Sequence, residues 1–386
     1  MTGFPVTTAV AGVGVRQYKR AQAPMPEQGV LVHAIVDACE DAGLDPSEID
    51  GFVTYGDDKN EPVRLMPDLG TKDLSWTAQV FGGGGGGIAA AFGLAASAII
   101  SGQAKNVVVF RALVQGNSGR LSGAVMAHHL HGHLMGAGLV APAGECAMRA
   151  MRLMEYHGVP QRCVEDLVRA SYYHGSRNPD AVAYGKPLDP ESYRESRIIS
   201  EPFRLFDCSR ENDGAGALIV TSADHARDLK KKPIYIKGVA QGTGADWGDR
   251  LQNEEEHALA GFRSVTRRLW EQTGLTAKDI DVVQLYENFS HQGISSLIDH
   301  GFCNFDNIGE VITYENLIAP SGKLPVNTGG GNLAQGFIHG IGMAIEAVQQ
   351  LRGESHNPVP DARYCLLAGG PAAPIVSSAI FSNAPD

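Results

Sequence analysis

Basic residues are in short supply in this chain of 386 residues: 32 Lys and Arg face 43 Asp and Glu, leaving a net charge of -11. No Lys/Arg stripe stands out that could displace counterions from a phosphate backbone, so nucleic acid is excluded as a partner. Long hydrophobic runs are also missing. The most apolar stretch, Ile88 to Ile100, is rich in alanine and shorter than the roughly 20 residues a spanning helix needs. The chain is therefore expected to stay out of the membrane. No charged segment followed by an apolar run opens it, which makes the cytoplasm the expected location. Cysteine is sparse and scattered: Cys39, Cys146, Cys163, Cys208, Cys303 and Cys365 show no C-x-x-C spacing, which argues against a zinc or redox site and for reduced, mostly buried thiols. What remains, 43% hydrophobic and 19% charged residues, is the composition of a globular enzyme with two or three core-forming units.

The strongest positive signal is an internal repeat. Glu40 to Tyr55 reads EDAGLDPSEIDGFVTY, and Glu271 to Tyr286 reads EQTGLTAKDIDVVQLY in the same register. Each predicts a helix stopped at Gly43 or Gly274, a short acidic turn, and a buried strand ending in tyrosine. Each half then carries a glycine run that is expected to open an apolar helix. These are Gly82 to Gly87 before IAAAFGLAASAII, and Gly329 to Gly331 before NLAQGFIHGIGMAIEAVQQL. A buried strand follows each, NVVVF from Asn106 and YCLLA from Tyr364. Two β-α-β-type copies predict an α/β protein of two pseudo-two-fold-related halves, with two mixed or parallel sheets and both glycine-led helices aimed at one centre. The expected division is 1–112 for the first half, 113–228 for an inserted loop or cap domain with closing strands, and 229–386 for the second half.

The glycine runs do not read as nucleotide loops, because no G-K-[ST] follows them. They do offer free backbone N–H groups and the positive end of a helix dipole, which suit an anionic oxygen, although a tightly packed turn reads equally simply. The cluster His128, His129, His131 and His133 lies among glycines without a Cys or carboxylate set, so no metal is expected there and a place at the mouth of a site suits it better. Cys208 has no paired histidine after it and is a weak nucleophile candidate.

Four segments taken in order, AVAGVGVRQYKR, DAGLDPSEIDGFV, RLFDCSRENDGAGALIVTS and LPVNTGGGNLAQGFIHGIGMAIEAVQQLRGE, resemble the successive signatures of the thiolase superfamily. The resemblance spans nearly the whole chain and is closest to the sterol-carrier and lipid-transfer branch. It implies the five-layered thiolase fold. Transferred residue by residue, it also exposes departures. The thiolase nucleophilic cysteine falls on Gly85, within about one residue. The Gly-His-Pro motif falls on Gly336, Phe337 and Ile338, so its histidine is missing, and the late cysteine falls beside Ala368. The Asn-Glu-Ala-Phe motif becomes Tyr286, Glu287, Asn288 and Phe289, placing a phenol where thiolases hold a water.

That pattern is similar to the lipid-transfer-protein-like steroid aldolases, which break a carbon–carbon bond by retro-aldol chemistry without an acyl-enzyme. The resemblance implies a steroid-type β-hydroxyacyl-CoA as substrate, coenzyme A only as part of that substrate, and no other cofactor. It implies a homodimer and a companion subunit of OB-fold and zinc-ribbon type. Such cleavage asks for a base near a hydroxyl and donors for an enolate oxygen. Tyr286 is the leading catalytic candidate; its alternative is a strand-end core tyrosine, as at Tyr55. The family's second tyrosine is replaced by Phe337. His339 is the candidate partner, since imidazole titrates near about 6.5, although helical spacing would turn it about 200° from position 337; a packed histidine is the alternative. Gly84, Gly85, Gly86, Gly330, Gly331, Asn332 and Phe337 are the expected substrate- and CoA-binding positions. The competing functions are a non-catalytic acyl-CoA or lipid-binding scaffold and, less favoured, an acetyl-CoA acyltransferase.

Overall fold

A computed structural model describes residues 6–82, 84–116, 136–139, 141–244 and 259–385; the four clustered histidines lie outside these. The first half contributes β1 (Thr8–Lys19), α1 (Glu27–Ala42), β2 (Gly51–Tyr55), α2 (Pro62–Leu69), β3 (Trp76–Val80), α3 (Ile88–Ile100) and β4 (Val107–Leu113). After it come α4 (Pro142–Met151), α5 (Gln161–Arg177), the short β5 (Ile198–Ser200) and β6 (Phe203–Arg204), and the long β7 (Asn212–Ser222). The second half holds β8 (Ile234–Gly242), α6 (Arg263–Thr273), β9 (Val282–Leu285), α7 (Ser290–Asp299), α8 (Ile341–Arg352), β10 (Tyr364–Gly369) and β11 (Val376–Ser382).

The repeat builds the same local structure twice, for the same reasons. Gly43 ends α1 at φ 74° and Gly274 ends α6 at φ 69°, the left-handed conformation glycine adopts without a Cβ penalty. A capped turn follows each. Asp45 accepts from the Ser47 amide at 2.8 Å, and Asp279 accepts from the Thr276 amide at 2.8 Å. Each turn feeds a fully buried strand, β2 or β9. Continuous apolar runs of this length are what strands covered on both faces require.

The sheet runs β3-β2-β4-β7-β1-β8-β11-β10-β9. The two expected sheets are therefore joined edge to edge, through the pairs Ala9 with Tyr235 and Val10 with Ile234. Helices α3 and α8 form the middle layer, packed between β-strands of both halves. In α3 the buried Ala89, Ala90, Ala91, Ala95, Ala96 and Ala98 keep that layer thin. Helix α1 and residues of α2 cover the outer face of the first half, while α5, α6 and α7 cover that of the second. This is the five-layered arrangement of the thiolase fold. Among the described residues no helix is long and apolar enough to cross a membrane.

One expectation is corrected. The second glycine run does not open a long helix: Gly331–Gln335 form a single wide turn, the chain leaves helical geometry, and α8 begins only at Ile341. Gly336 (φ 157°), His339 (φ 46°) and Gly340 (φ 89°) interrupt it, conformations that no right-handed helix accommodates.

Candidate active site

Strand β9 ends at Leu285, and the next amide, that of Tyr286, donates to the Ala368 carbonyl of β10 at 2.9 Å. This bond delivers the Tyr286 side chain to the centre of the molecule, where it is only 4% exposed. There it lies on the first glycine run. A Cβ at Gly85 would stand 2.1 Å from Tyr286 Cε2, and one at Gly84 would stand 3.4 Å from the phenol oxygen. The ring thus fills the space that a side chain at position 85 would need. Burial pushes the phenol well above its ordinary range; the Arg111 charge and the Gly85 backbone amide act in the opposite direction. The resting phenol therefore keeps its proton.

From the other half, the irregular segment 336–340 meets the same ring. A Cβ at Gly340 would lie 3.0 Å from Tyr286 Cδ2, so glycine is required here both by φ and by closeness. The Phe337 ring is 6.1 Å from Tyr286 and 5.1 Å from the His339 ring, the latter edge to face. Positions 337 and 339, expected to diverge on a helix, are therefore neighbours, because no helix runs through them. Asn212 fixes this segment by accepting from the Phe337 amide at 2.6 Å. The two repeat tyrosines converge here too, since the Tyr55 hydroxyl donates to the His339 carbonyl at 2.9 Å.

The fully buried Arg111 of β4 (2% exposed) organises the His339 side chain. Its Nε is 3.2 Å and its Nη2 2.7 Å from His339 Nδ1. Nη1 donates to Asp58 at 2.8 Å and Nη2 to Asp57 at 2.7 Å. Burial and the Arg111 charge hold the imidazole down to about 3, against a smaller pull from Asp57. The general-base role that an imidazole near 6.5 would suit is thus not supported by these surroundings.

The structure brings together Tyr286, His339, Phe337, Gly84 and Gly85. Gly86 lies one step further, its carbonyl accepting from Ser377 at 2.6 Å. Gly330, Gly331 and Asn332 meet other neighbours. A Cβ at Gly330 would meet the Gly175 backbone of α5 at 2.8 Å, and one at Gly331 would meet Glu287 Oε1 at 2.0 Å. The amides of Asn332 and Leu333 face the buried Glu287 carboxyl, which burial raises well above the carboxylate range. Those amides face a side chain of the protein, and the backbone that lines Tyr286 is the first glycine run and Gly340. Sequence reading missed Arg111, Asp57, Asp58 and Gly340. An arginine inside the apolar run NVVVFRAL was the available signal, because a buried arginine must be paired. Among the described residues no group of three His, Cys, Asp or Glu could hold a metal.

Residues 244–382 match a family model described as thiolase C-terminal domain-like. The chain is 34% identical over 95% of its length, and 97% of the relative, to the 17-hydroxy-3-oxo-4-pregnene-20-carboxyl-CoA lyase of Mycobacterium tuberculosis. It is 32% identical, over 97% of both chains, to the steroid side-chain-cleaving aldolase of Thermomonospora curvata. A solved Ltp2-ChsH2(DUF35) aldolase superposes with a TM-score of 0.89, at 32% identity and 99% coverage of both chains. A Gly85 with no room for a thiol and a phenol lying against it agree with these likenesses, and the chain belongs to the thiolase superfamily, in its lipid-transfer-protein-like branch of steroid side-chain aldolases.

Proposed function

We propose that this protein is a carbon–carbon lyase that cleaves the side chain of a steroid-type β-hydroxyacyl-CoA by a retro-aldol reaction, releasing a ketone and a shorter acyl-CoA. The observation that carries the reading is the Tyr286 phenol lying over Gly84 and Gly85, where the resemblance places the thiolase nucleophile. As the hydroxyl of the substrate loses its proton, the bond between the α and β carbons breaks and its electrons pass to the thioester as an enolate. Tyr286, protonated at rest, supplies the proton that the α carbon takes up. Water takes the hydroxyl proton as the bond breaks and returns a proton to the phenolate once the α carbon has been protonated, so the cycle is balanced without any redox partner. Coenzyme A enters as part of the substrate, and no further cofactor is needed.

The same reading extends to assembly. The solved aldolase relative is named for two components, one of them a DUF35 protein, which supports an OB-fold and zinc-ribbon companion here. A homodimer pairing through the first-half sheet and a cytoplasmic location belong to the proposal as well.

The test is Tyr286→Phe. Incubated with a β-hydroxyacyl-CoA of a steroid, the wild type releases a ketone, and the variant loses about 10²–10⁴-fold in kcat while still binding the thioester. Unchanged turnover in the variant would remove Tyr286 from the chemistry. Binding without any turnover in the wild type would instead favour the scaffold reading.

A further inference from the structure

Arg111 is held on three sides, and that arrangement fixes what His339 can do. Its Nη1 and Nη2 donate to Asp58 and Asp57, and Nε and Nη2 point at Nδ1 of His339. Asp58 is itself immobilised: it accepts from the Ala112 amide at 3.0 Å and from the Asn60 amide at 2.8 Å. A guanidinium has only donors and does not deprotonate in a protein. An imidazole nitrogen that receives its N–H groups must present a lone pair. Nδ1 is therefore the acceptor, and the single proton of the neutral ring sits on Nε2. Adding a second proton would set an Nδ1–H against an N–H of Arg111. Among the described residues none takes the Nε2–H, and the segment that carries it continues into Gly340, against the Tyr286 ring.

We propose that His339 acts as a permanently neutral hydrogen-bond donor through Nε2 to the thioester enolate oxygen, and that Arg111, clamped by Asp57 and Asp58, is the positioning residue that imposes this tautomer. The proposal rests on the retro-aldol reading for its ligand. It gives the segment around Phe337, where the family's second tyrosine is absent, a donor of different chemistry. A fixed dipole in a buried site stabilises developing charge without reorganising during the reaction. The charged and titratable groups around the imidazole are Arg111 from β4, Asp57 and Asp58 from the exit of β2, and Tyr286 beside Gly340; Tyr55 bonds the His339 carbonyl.

The decisive measurement is ¹⁵N NMR of the full-length chain labelled at histidine, with His339→Gln identifying the His339 signals. The expected spectrum is that of the Nε2–H tautomer, unchanged from pH 5 to pH 8. An Nδ1–H tautomer, or titration inside that range, overturns the proposal. In Arg111→Gln, which removes the cation but leaves both carboxylates, His339 becomes titratable; a variant that loses stability with the His339 signals unmoved would make Arg111 merely structural and overturn the positioning role. Where that variant fails to fold, the wild-type spectrum still decides. On the kinetic side, His339→Gln keeps an amide donor near Nε2 and retains kcat within about tenfold, whereas His339→Phe loses about 10²–10³-fold in kcat with KM little changed. Equal losses in the two variants overturn the donor role. A wild type that shows the tautomer but cleaves no β-hydroxyacyl-CoA overturns the proposed reaction and leaves the clamp standing.

Discussion

At the scale of single residues, Gly85 and Tyr286 are mutually exclusive with a nucleophile. A Cβ at position 85 would lie 2.1 Å, 2.4 Å and 2.8 Å from three atoms of the Tyr286 ring, far inside van der Waals contact. Gly85→Cys therefore does not restore thiolase chemistry; it displaces the phenol. We expect the variant to form no acyl-enzyme with acyl-CoA, by mass spectrometry, and to lose at least about 10²-fold in cleavage. A stable thioester adduct would contradict this. Tyr286 was legible in the sequence because it falls on the Asn-Glu-Ala-Phe slot of the thiolase resemblance, although the repeat, aligning it with Tyr55, equally offered a core tyrosine. Arg111 signalled itself only as an arginine in an apolar run; its pairing was not legible, because Asp57 and Asp58 come from a different strand end and no periodicity links them. Its cost of burial is visible only once the strands are side by side.

Elements respond to pH through the histidines they enclose. His300, just past the end of α7, is fully buried; its Nδ1 lies 2.7 Å from the Ser296 carbonyl and its Nε2 2.9 Å from Ser378 Oγ of β11. Burial pushes its imidazole down to about 4, below the ordinary value of about 6.5. The unfolded chain then binds the extra proton, so this contribution is intact above pH 6.5 and is lost as pH falls toward 4. Wild type should lose about 1.4 kcal/mol per pH unit in that window relative to His300→Gln, measured by urea unfolding. Parallel curves would show that the histidine is not desolvated. The difference removes the opposite contribution of Asp299, whose carboxyl burial raises to about 6. Element prediction from sequence failed in one place for a related reason of locality. The apolar spacing of NLAQGFIHGIGMAIEAVQQL is continuous, so it reads as one helix. The backbone turns at Gly336, His339 and Gly340 break it, and only the glycine spacing hinted at them.

The two halves share the α3–α8 middle layer, but their strands meet across a narrow seam. Beyond the two residue pairs between β1 and β8, Arg352 at the end of α8 reaches into the first half. There it bonds Asp41 at 2.7 Å and the Ala11 carbonyl at 2.8 Å, and it also bonds the Lys232 carbonyl of its own half at 3.0 Å, with its side chain only 1% exposed. Arg352→Met removes these three hydrogen bonds while Asp41, itself 19% exposed, keeps the Val13 amide and Lys231, and should cost about 1–3 kcal/mol, seen as a lowered midpoint in chemical unfolding. A loss under about 1 kcal/mol would reduce the contact to a surface ion pair. Two homologous halves were readable from the repeat, because each copy carries its own caps and buried strand. Their fusion into one sheet was not readable, since it depends on a register of two residue pairs. The seam has a further meaning for the chemistry. Gly85, Arg111, Asp57 and Asp58 come from one copy, Tyr286, Phe337, His339 and Gly340 from the other, and neither copy owns the reaction. Each copy supplies a frame, and the catalyst exists only where the two frames face each other.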